Sequence, residues 1–391
     1  MSKACSFLWS HISLRINGAV IPCCRVHEFE KAENIPRIED GLENAMNSEF
    51  FENYRNHMLT EDELPESCKR CALEEAAGYD SMRLIWNKRW GKYIGTEPKI
   101  RYIETSFSSH CNLACRMCNE TYSSKWKLIN NPGIRPELLM EPSKMDYYRN
   151  ADLSHLDYVK VLGGEPFLTK EHDEFLDTIT SQSNSSNIDL QYHTNGTIFP
   201  APHIIEHWKK YKSVFICFSI DHVGDKNDWL RPGSSWEKLQ NTVNKYIELK
   251  KELPNLVLGN NSVINSINVW EMDTLIYWLS QHIDMDRSYF DILRFPEHLS
   301  ISSLTDELKN KVSDAWDIQE NKLISIVPEK SVIVKQFGNA IRMRLAETPE
   351  TRYTFEDIAK EEQKLDKYFK QDIYKIYPEL FKIAKENEKN D

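Results

Sequence analysis

Cys111-Asn112-Leu113-Ala114-Cys115-Arg116-Met117-Cys118 follows directly on an apolar, β-branched run at 100–107. The spacing is C-x3-C-x2-C. Three thiolates so placed hold three irons of a [4Fe–4S] cube and leave the fourth iron without a side-chain ligand. Cubes used for electron transfer alone normally have four cysteine ligands. An open coordination position is what metal chemistry on a bound molecule needs, by the logic that separates catalytic from structural zinc sites. With nine cysteines in 391 residues, such an array arises by chance in about one chain in two hundred. A zinc site completed by His110 or His193 stays open as the alternative reading.

Outward from the array, residues 99–296 alternate short β-rich runs with longer helical ones, the pattern of parallel βα units. The strand candidates are 100–107, 158–162, 188–194, 214–220, 256–264 and 290–294. Helices are expected at 169–180, 202–210, 235–251 and 269–281. Six such units make a partial (β/α)6 barrel of the TIM type, whose chemistry sits at the C-terminal strand ends. The cysteine array lies just past the first strand. Gly163-Gly164-Glu165-Pro166 lies just past the second.

Together, the array and this turn resemble the radical S-adenosylmethionine (radical SAM) enzymes. The resemblance implies that Cys111, Cys115 and Cys118 hold the catalytic cluster and that SAM chelates its open iron. It further implies reductive cleavage of SAM to a 5′-deoxyadenosyl radical that abstracts hydrogen from a substrate. Met117 stands where the family often has an aromatic residue; it is also apolar and polarizable. Gly163, Gly164 and Glu165 match the segment that binds the SAM amino group. Ser219, in Phe218-Ser219-Ile220-Asp221, matches a Ser-x-Asp segment that reaches the SAM carboxylate or ribose. Arg231 is placed to pair with that carboxylate, for which a guanidinium fork is suited. Asn195, in Thr194-Asn195-Gly196, resembles a further segment facing the cofactor. Gly259-Asn260-Asn261-Ser262 falls where the family has a glycine-rich adenine motif and receives no contact. No catalytic side chain is assigned beyond the cluster.

The N-terminal segment carries Cys5, Gly18-x4-Cys23 and Cys68-x2-Cys71. This resembles the twitch module, the shorter relative of the SPASM domain, here placed before the barrel rather than after it. The resemblance implies that Cys5, Cys23, Cys68 and Cys71 bind an auxiliary [4Fe–4S] cluster, fully ligated and suited to electron transfer. A four-cysteine zinc ribbon is the alternative. Asn17-Gly18 between apolar runs favours a tight hairpin that brings Cys5 and Cys23 towards one another. Cys24 is a substitute ligand or a bystander, and Cys217 reads as a small core residue. Glu104 and His193 read as core or supporting residues.

At 40% hydrophobic and 28% charged, the composition is that of an ordinary globular protein. No apolar run approaches the ~18 residues that span a bilayer, and the N-terminus lacks a signal-peptide core, so a cytoplasmic location is expected. Closely spaced cysteines in a reducing compartment favour metal ligation over disulfides. A net charge of −11 argues against nucleic-acid binding, which needs a basic face. The expected layout is a twitch-like domain at 1–96, the barrel at 97–300 and a helical extension at 301–391. Residues 86–99, with Gly91, Gly95 and Pro98, read as the first connection. Val332/Ile333, Phe337, Ile341 and Leu345 predict one buried helix face. Residues 354–389 predict one or two amphipathic helices, and 386–391 a frayed end. The expected function is a radical SAM oxidation or modification of a peptide or protein, fed by a reductant such as flavodoxin or ferredoxin. Other readings are oxidation of a carbohydrate or aminoglycoside alcohol, methyl or methylthio transfer, and a non-catalytic zinc-binding interaction protein.

Overall fold

β-branched and aromatic residues dominate the six runs expected as strands, and all six form strands. In chain order the strands are β1 His11–Leu14, β2 Val20–Ile21, β3 Tyr102–Ser106, β4 Tyr158–Leu162, β5 Asp189–Thr194, β6 Ser213–Phe218, β7 Leu256–Ile264 and β8 Ser288–Ile292. The computed structural model describes residues 3–25, 34–76, 80–134 and 143–385. The strands lie in one sheet in the order β2-β1-β3-β4-β5-β6-β7-β8. β1 runs parallel to β3, β3 to β4, β4 to β5 and β7 to β8, while β2 is antiparallel to β1. The class is therefore α/β with a mostly parallel sheet of the partial-barrel type. Two strands beyond the expected six come from the N-terminal segment. They form the hairpin that Asn17-Gly18 predicts: Gly18 takes φ 88° at the turn, and Ser13 faces Ile21.

The four expected crossover helices form at Glu171–Gln182, Pro202–Trp208, Trp236–Glu252 and Met272–His282. Pro202 sits at a first helical position, where its missing N–H costs nothing. Three expectations are corrected. Residues 86–90 are not connection but the end of a helix, Met82–Trp90. Trp86 and Trp90, one turn apart, stack at 4.8 Å, and the buried Trp90 donates Nε1 to the Asp157 carboxylate at 3.1 Å. The glycines and Pro98 all fall after this helix. In the helix Ser331–Leu345 the buried face is Val334, Phe337, Ile341 and Leu345, with Val332 exposed. Of the C-terminal aromatics, Tyr377 and Phe381 are buried but Tyr368 and Tyr374 face solvent. The segment forms the helices Phe355–Phe369, Ile373–Ile376 and Pro378–Lys385. Residues 386–391 lie outside the described residues.

By packing, the chain divides into two compact units. One comprises Met1–His110, Arg135–His193 and Pro200–Val214; the other comprises Cys111–Ile134, Thr194–Phe199 and Phe215–Asp391. In the first, Phe175 packs edge-on against Phe107 at 5.0 Å and Tyr148 at 4.9 Å. The Tyr148 hydroxyl meets Thr105 at 2.5 Å, and His172 Nε2 meets the Tyr192 hydroxyl at 2.8 Å. In the second, Trp316 meets Phe337 at 5.1 Å. There the buried Asn260 of β7 accepts from the Ile220 N–H at 3.0 Å and donates to its carbonyl at 3.1 Å. Among the described residues no helix is long and apolar enough to cross a membrane.

Trp90→Ala removes a fully buried indole and its hydrogen bond to the Asp157 carboxylate, leaving Arg89 as the partner of Asp157. Urea unfolding is expected to show a loss of about 3–5 kcal/mol.

Candidate functional site

The C-x3-C-x2-C loop has no regular secondary structure, so its backbone polar groups need partners from elsewhere. The Leu-Arg-Pro-Gly turn supplies them. Ala114 N donates to the Pro232 carbonyl and Arg116 N to the Leu230 carbonyl, both at 3.0 Å. Cys118 N closes a turn on the Cys115 carbonyl at 2.9 Å. Trp126 Nε1 holds that carbonyl from a second direction at 3.0 Å. The Ser124 hydroxyl accepts from Cys111 N at 3.1 Å, and Ser123 caps the helix that follows.

Between the second and third cysteines, the Arg116 side chain is fully buried. Its Nε donates to the Trp229 carbonyl at 2.6 Å, Nη1 to Glu362 at 2.6 Å, and Nη2 to Asp366 at 2.5 Å and Gln371 at 2.9 Å. The guanidinium lies 3.7 Å above the Trp229 ring. His298 Nε2 meets the second Glu362 oxygen at 2.7 Å. Sequence reasoning passed over Arg116. Its signal was a charged residue inside a cysteine array, with two carboxylates four apart in a distant amphipathic helix.

Two of the expected SAM contacts touch the cysteines themselves. Asn195 Nδ2 donates to Asn112 Oδ1 at 2.9 Å and lies 3.9 Å from Cys111 Sγ. Arg231 Nη1 lies 3.6 Å from Cys115 Sγ, while its Nε pairs with Asp221 at 2.7 Å. Asp221 is itself buried and accepts from Val263 N at 2.7 Å, so the guanidinium is held from behind. Ser219 is half-buried, its N–H on the Thr194 carbonyl at 2.9 Å. Burial pushes the Cys118 thiol up to about 12. Burial also raises Cys115, against the opposing pull of Arg231. Thiols that resist ionisation until a cation arrives suit metal ligands better than free nucleophiles.

In the other unit, Gly163-Gly164-Glu165 continues the pairing of β3 with β4 past the strand ends. Gly164 N donates to the Ser108 carbonyl at 3.0 Å and Glu165 N to the His110 carbonyl at 2.7 Å. A Cβ on Gly164 would overlap the His110 carbonyl, and one on Gly163 would lie 2.9 Å from that of Ser108. Gly163 also has φ +124°, which L side chains rarely adopt. Glu165 is buried, one carboxylate oxygen accepting from Phe167 N at 3.4 Å.

Cys5, Cys23, Cys68 and Cys71 line one cavity, walled further by Pro22, Tyr54, Met58 and Met82. Each is placed by a distinct device. Cys23 follows β2. Cys68 and Cys71 span the turn into the helix Lys69–Ala76. Cys5 is bracketed by Asn87, which donates to the Ala4 carbonyl and accepts from Ser6 N, each at 2.8 Å. Burial, with Cys68 and Cys71 alongside, pushes Cys5 to about 12; burial and Cys71 push Cys68 to about 11. Four cysteines around one cavity, with Arg25, Arg70 and Arg83 also in its wall, fit an inorganic core that takes them as thiolates. Cys24 is not in the cavity wall; its thiol is pushed well up by contact with Cys23 and by burial. Cys217 is a fully buried residue of β6, as expected.

Residues 105–276 match the radical SAM superfamily, and residues 5–72 match the SPASM iron–sulfur cluster-binding domain. Curated relatives include the GTP 3′,8-cyclase of Helicobacter pylori, 25% identical over 237 residues, 60% of this chain and 65% of that protein. The GTP 3′,8-cyclase of Nautilia profundicola is 24% identical over 267 residues, 63% of this chain and 79% of that one. The chain thus spans just under two thirds of the Helicobacter pylori relative. Among solved structures, anSMEcpe with bound AdoMet is 18% identical with a TM-score of 0.40, covering 58% of this chain and 62% of that one. SuiB of Streptococcus suis bound to S-adenosylmethionine is 15% identical with a TM-score of 0.38, covering 74% and 65%.

Arg116→Met leaves Glu362 and Asp366 buried without their cation. Urea unfolding under anaerobic conditions should show a loss of about 3–5 kcal/mol. Adding Glu362→Gln and Asp366→Asn should recover part of it.

Proposed function

As this chain is a radical SAM enzyme with a SPASM-type iron–sulfur domain, whose cofactors are [4Fe–4S] clusters and SAM, we propose that it modifies or oxidises a peptide or protein substrate by hydrogen abstraction. When bound, the clusters and SAM supply an electron, a 5′-deoxyadenosyl radical and an acceptor for the electron left on the substrate. Cys111, Cys115 and Cys118 hold the catalytic cluster on a loop whose backbone is pinned by Leu230 and Pro232. Arg231, braced by Asp221, keeps positive charge beside the Cys115 sulfur. Asn195 plays the corresponding polar role beside Cys111. Gly163 and Gly164 leave room for a ligand's polar head at the strand ends, and Glu165 supplies the acceptor for its ammonium. Ser219 matches the family segment that reaches SAM. Cys5, Cys23, Cys68 and Cys71 hold the auxiliary cluster, and full ligation by four cysteines favours electron transfer over ligand exchange. An external one-electron donor of the flavodoxin or ferredoxin kind feeds the first cluster. The observation that carries this reading is the pair of cysteine sets, three on one braced loop and four around one cavity. The choice of a peptide substrate rests on the SPASM-type domain.

Anaerobic incubation of reduced protein with SAM, with products resolved by mass spectrometry, tests the reaction. 5′-Deoxyadenosine is expected, and S-adenosylhomocysteine alone would instead indicate methyl transfer. Cys115→Ala should abolish cleavage. Gly164→Ala should lose retention of radiolabelled SAM while the iron content stays at about eight per chain. Cys68→Ala should bring the iron content down to about four and stop substrate turnover while leaving SAM cleavage measurable.

A further inference from the structure

The helix Ser124–Asn130 follows the cysteine loop directly, and the helix Phe355–Phe369 packs beside it. Leu365 and Phe369 join Ala114, Trp126 and Ile129 in one apolar cluster. Lys364 Nζ donates to Asn130 Oδ1 at 2.8 Å, and the Lys125 ammonium lies 5.7 Å from the centre of the Tyr368 ring. The two helices thus share one outer surface. Helical spacing divides the longer helix into two faces. Glu362 and Asp366 turn inward to the buried Arg116, whereas Lys364, Lys367 and Tyr368 face solvent. The surface backs onto the cysteine loop through Ala114 and through the Trp126 indole, which holds the Cys115 carbonyl at 3.0 Å.

Charge here runs against the chain as a whole, in which 60 acidic residues outnumber 49 basic ones. The outward carboxylates at this end of the two helices are Glu120 and Glu361; a third, Asp372, is taken by Lys375 at 3.5 Å. Against them stand Lys125, Lys364, Lys367 and Lys370, none of them in an ion pair among the described residues. Lys364 meets a neutral amide and Lys125 a neutral ring, so neither charge is cancelled. Among the lysines Tyr368 is 51% exposed, an aromatic anchor of the kind that carries binding energy at protein interfaces. A carrier with net negative charge is repelled by most of a chain at −11 and drawn to the face where the sign reverses. Encounters between redox partners bury less than about 1,200 Å², so a patch two helices wide suffices.

We infer that this face is where an acidic one-electron carrier protein docks to reduce the catalytic cluster, with Lys125, Lys364, Lys367 and Lys370 meeting its carboxylates and Tyr368 its apolar rim. The inference rests on the reading that Cys111, Cys115 and Cys118 hold that cluster. The carrier is oxidised by one electron and the cluster reduced by one, with no bond made or broken.

Rapid freeze-quench EPR of the full-length, cluster-loaded protein tests this, reading the reduced-cluster signal that SAM perturbs. The protein is mixed anaerobically with a pre-reduced acidic flavodoxin, with a pre-reduced acidic ferredoxin, or with dithionite, a small reductant that needs no docking surface. Reduction by at least one carrier is expected, slowing as salt is raised, since screening acts over ~10 Å at 0.1 M. The Lys125→Glu/Lys364→Glu/Lys367→Glu variant should slow carrier-driven reduction roughly tenfold or more at low salt. Its iron content and its reduction by dithionite should match the wild type. Lys238→Glu/Lys245→Glu/Lys250→Glu makes the same change in net charge on the helix Trp236–Glu252 and should cost far less. Wild-type carrier rates in the first variant, equal losses in both, or no reduction by either carrier while dithionite succeeds overturn the inference. A single-stranded RNA that binds the wild type, fails on the first variant and leaves carrier reduction untouched assigns the face to nucleic acid and overturns it too. Should the first variant lose iron, carbodiimide cross-linking of the unsubstituted protein to the carrier decides, since it joins carboxylates to amines. Cross-links at these four lysines support the site, and cross-links confined to other lysines overturn it. Absence of a dithionite-reducible cluster on the three-cysteine loop removes the radical reading and the inference with it, a result distinct from every failure above.

Discussion

A cysteine loop without helix or strand of its own must borrow its rigidity, and here it borrows part of it through one guanidinium. Arg116 is dry, and desolvating such a group costs several kcal/mol unless its donors are satisfied. All five are: the Trp229 carbonyl, the carbonyl and carboxylate of Glu362, Asp366 and Gln371 take them. The same contact fixes the helix Phe355–Phe369, which brings both carboxylates one turn apart on its buried face. A C-terminal helix in the position of a terminal decoration is therefore part of the support for the cysteine loop. The turn at Leu230–Pro232 completes that support from the other side with backbone hydrogen bonds.

The second organising constraint is the parallel register. It aligns every second residue of neighbouring strands, so a polar residue on one strand finds a polar partner only if the next strand has one at the same height. Ser13, Glu104, Lys160 and Gln191 meet that condition across four strands. The register also carries β3 and β4 past their ends into the pairing of Ser108 and His110 with Gly164 and Glu165. One hydrogen-bonding pattern thus produces both a polar interior row and the glycine turn above it.

The cysteine array, the glycine turn and the four N-terminal cysteines were legible as patterns because residue type and spacing are local properties. The six strands were legible because they are short, β-branched and separated by helical periodicity. The hairpin at Asn17-Gly18 was legible too, but not that β1 would join β3, since a parallel neighbour leaves no mark in the sequence of either strand. The helix Met82–Trp90 was misread because its glycine-rich sequel drew attention from Trp86 and Trp90, whose stacking shows only in three dimensions. Lys160 stood unnoticed between two valines, although a lysine inside such a run was the signal.

By itself, then, the sequence determined the residue types and spacing of the cysteine sets and the class of fold, because spacing and hydrophobic period act over a few residues. Only the tertiary structure decided what braces them. Arg116 meets Glu362 across 246 positions, and Glu104 meets Lys160 across 56. Such pairings depend on which buried charges fall at the same height in the packed chain, a condition no short segment encodes.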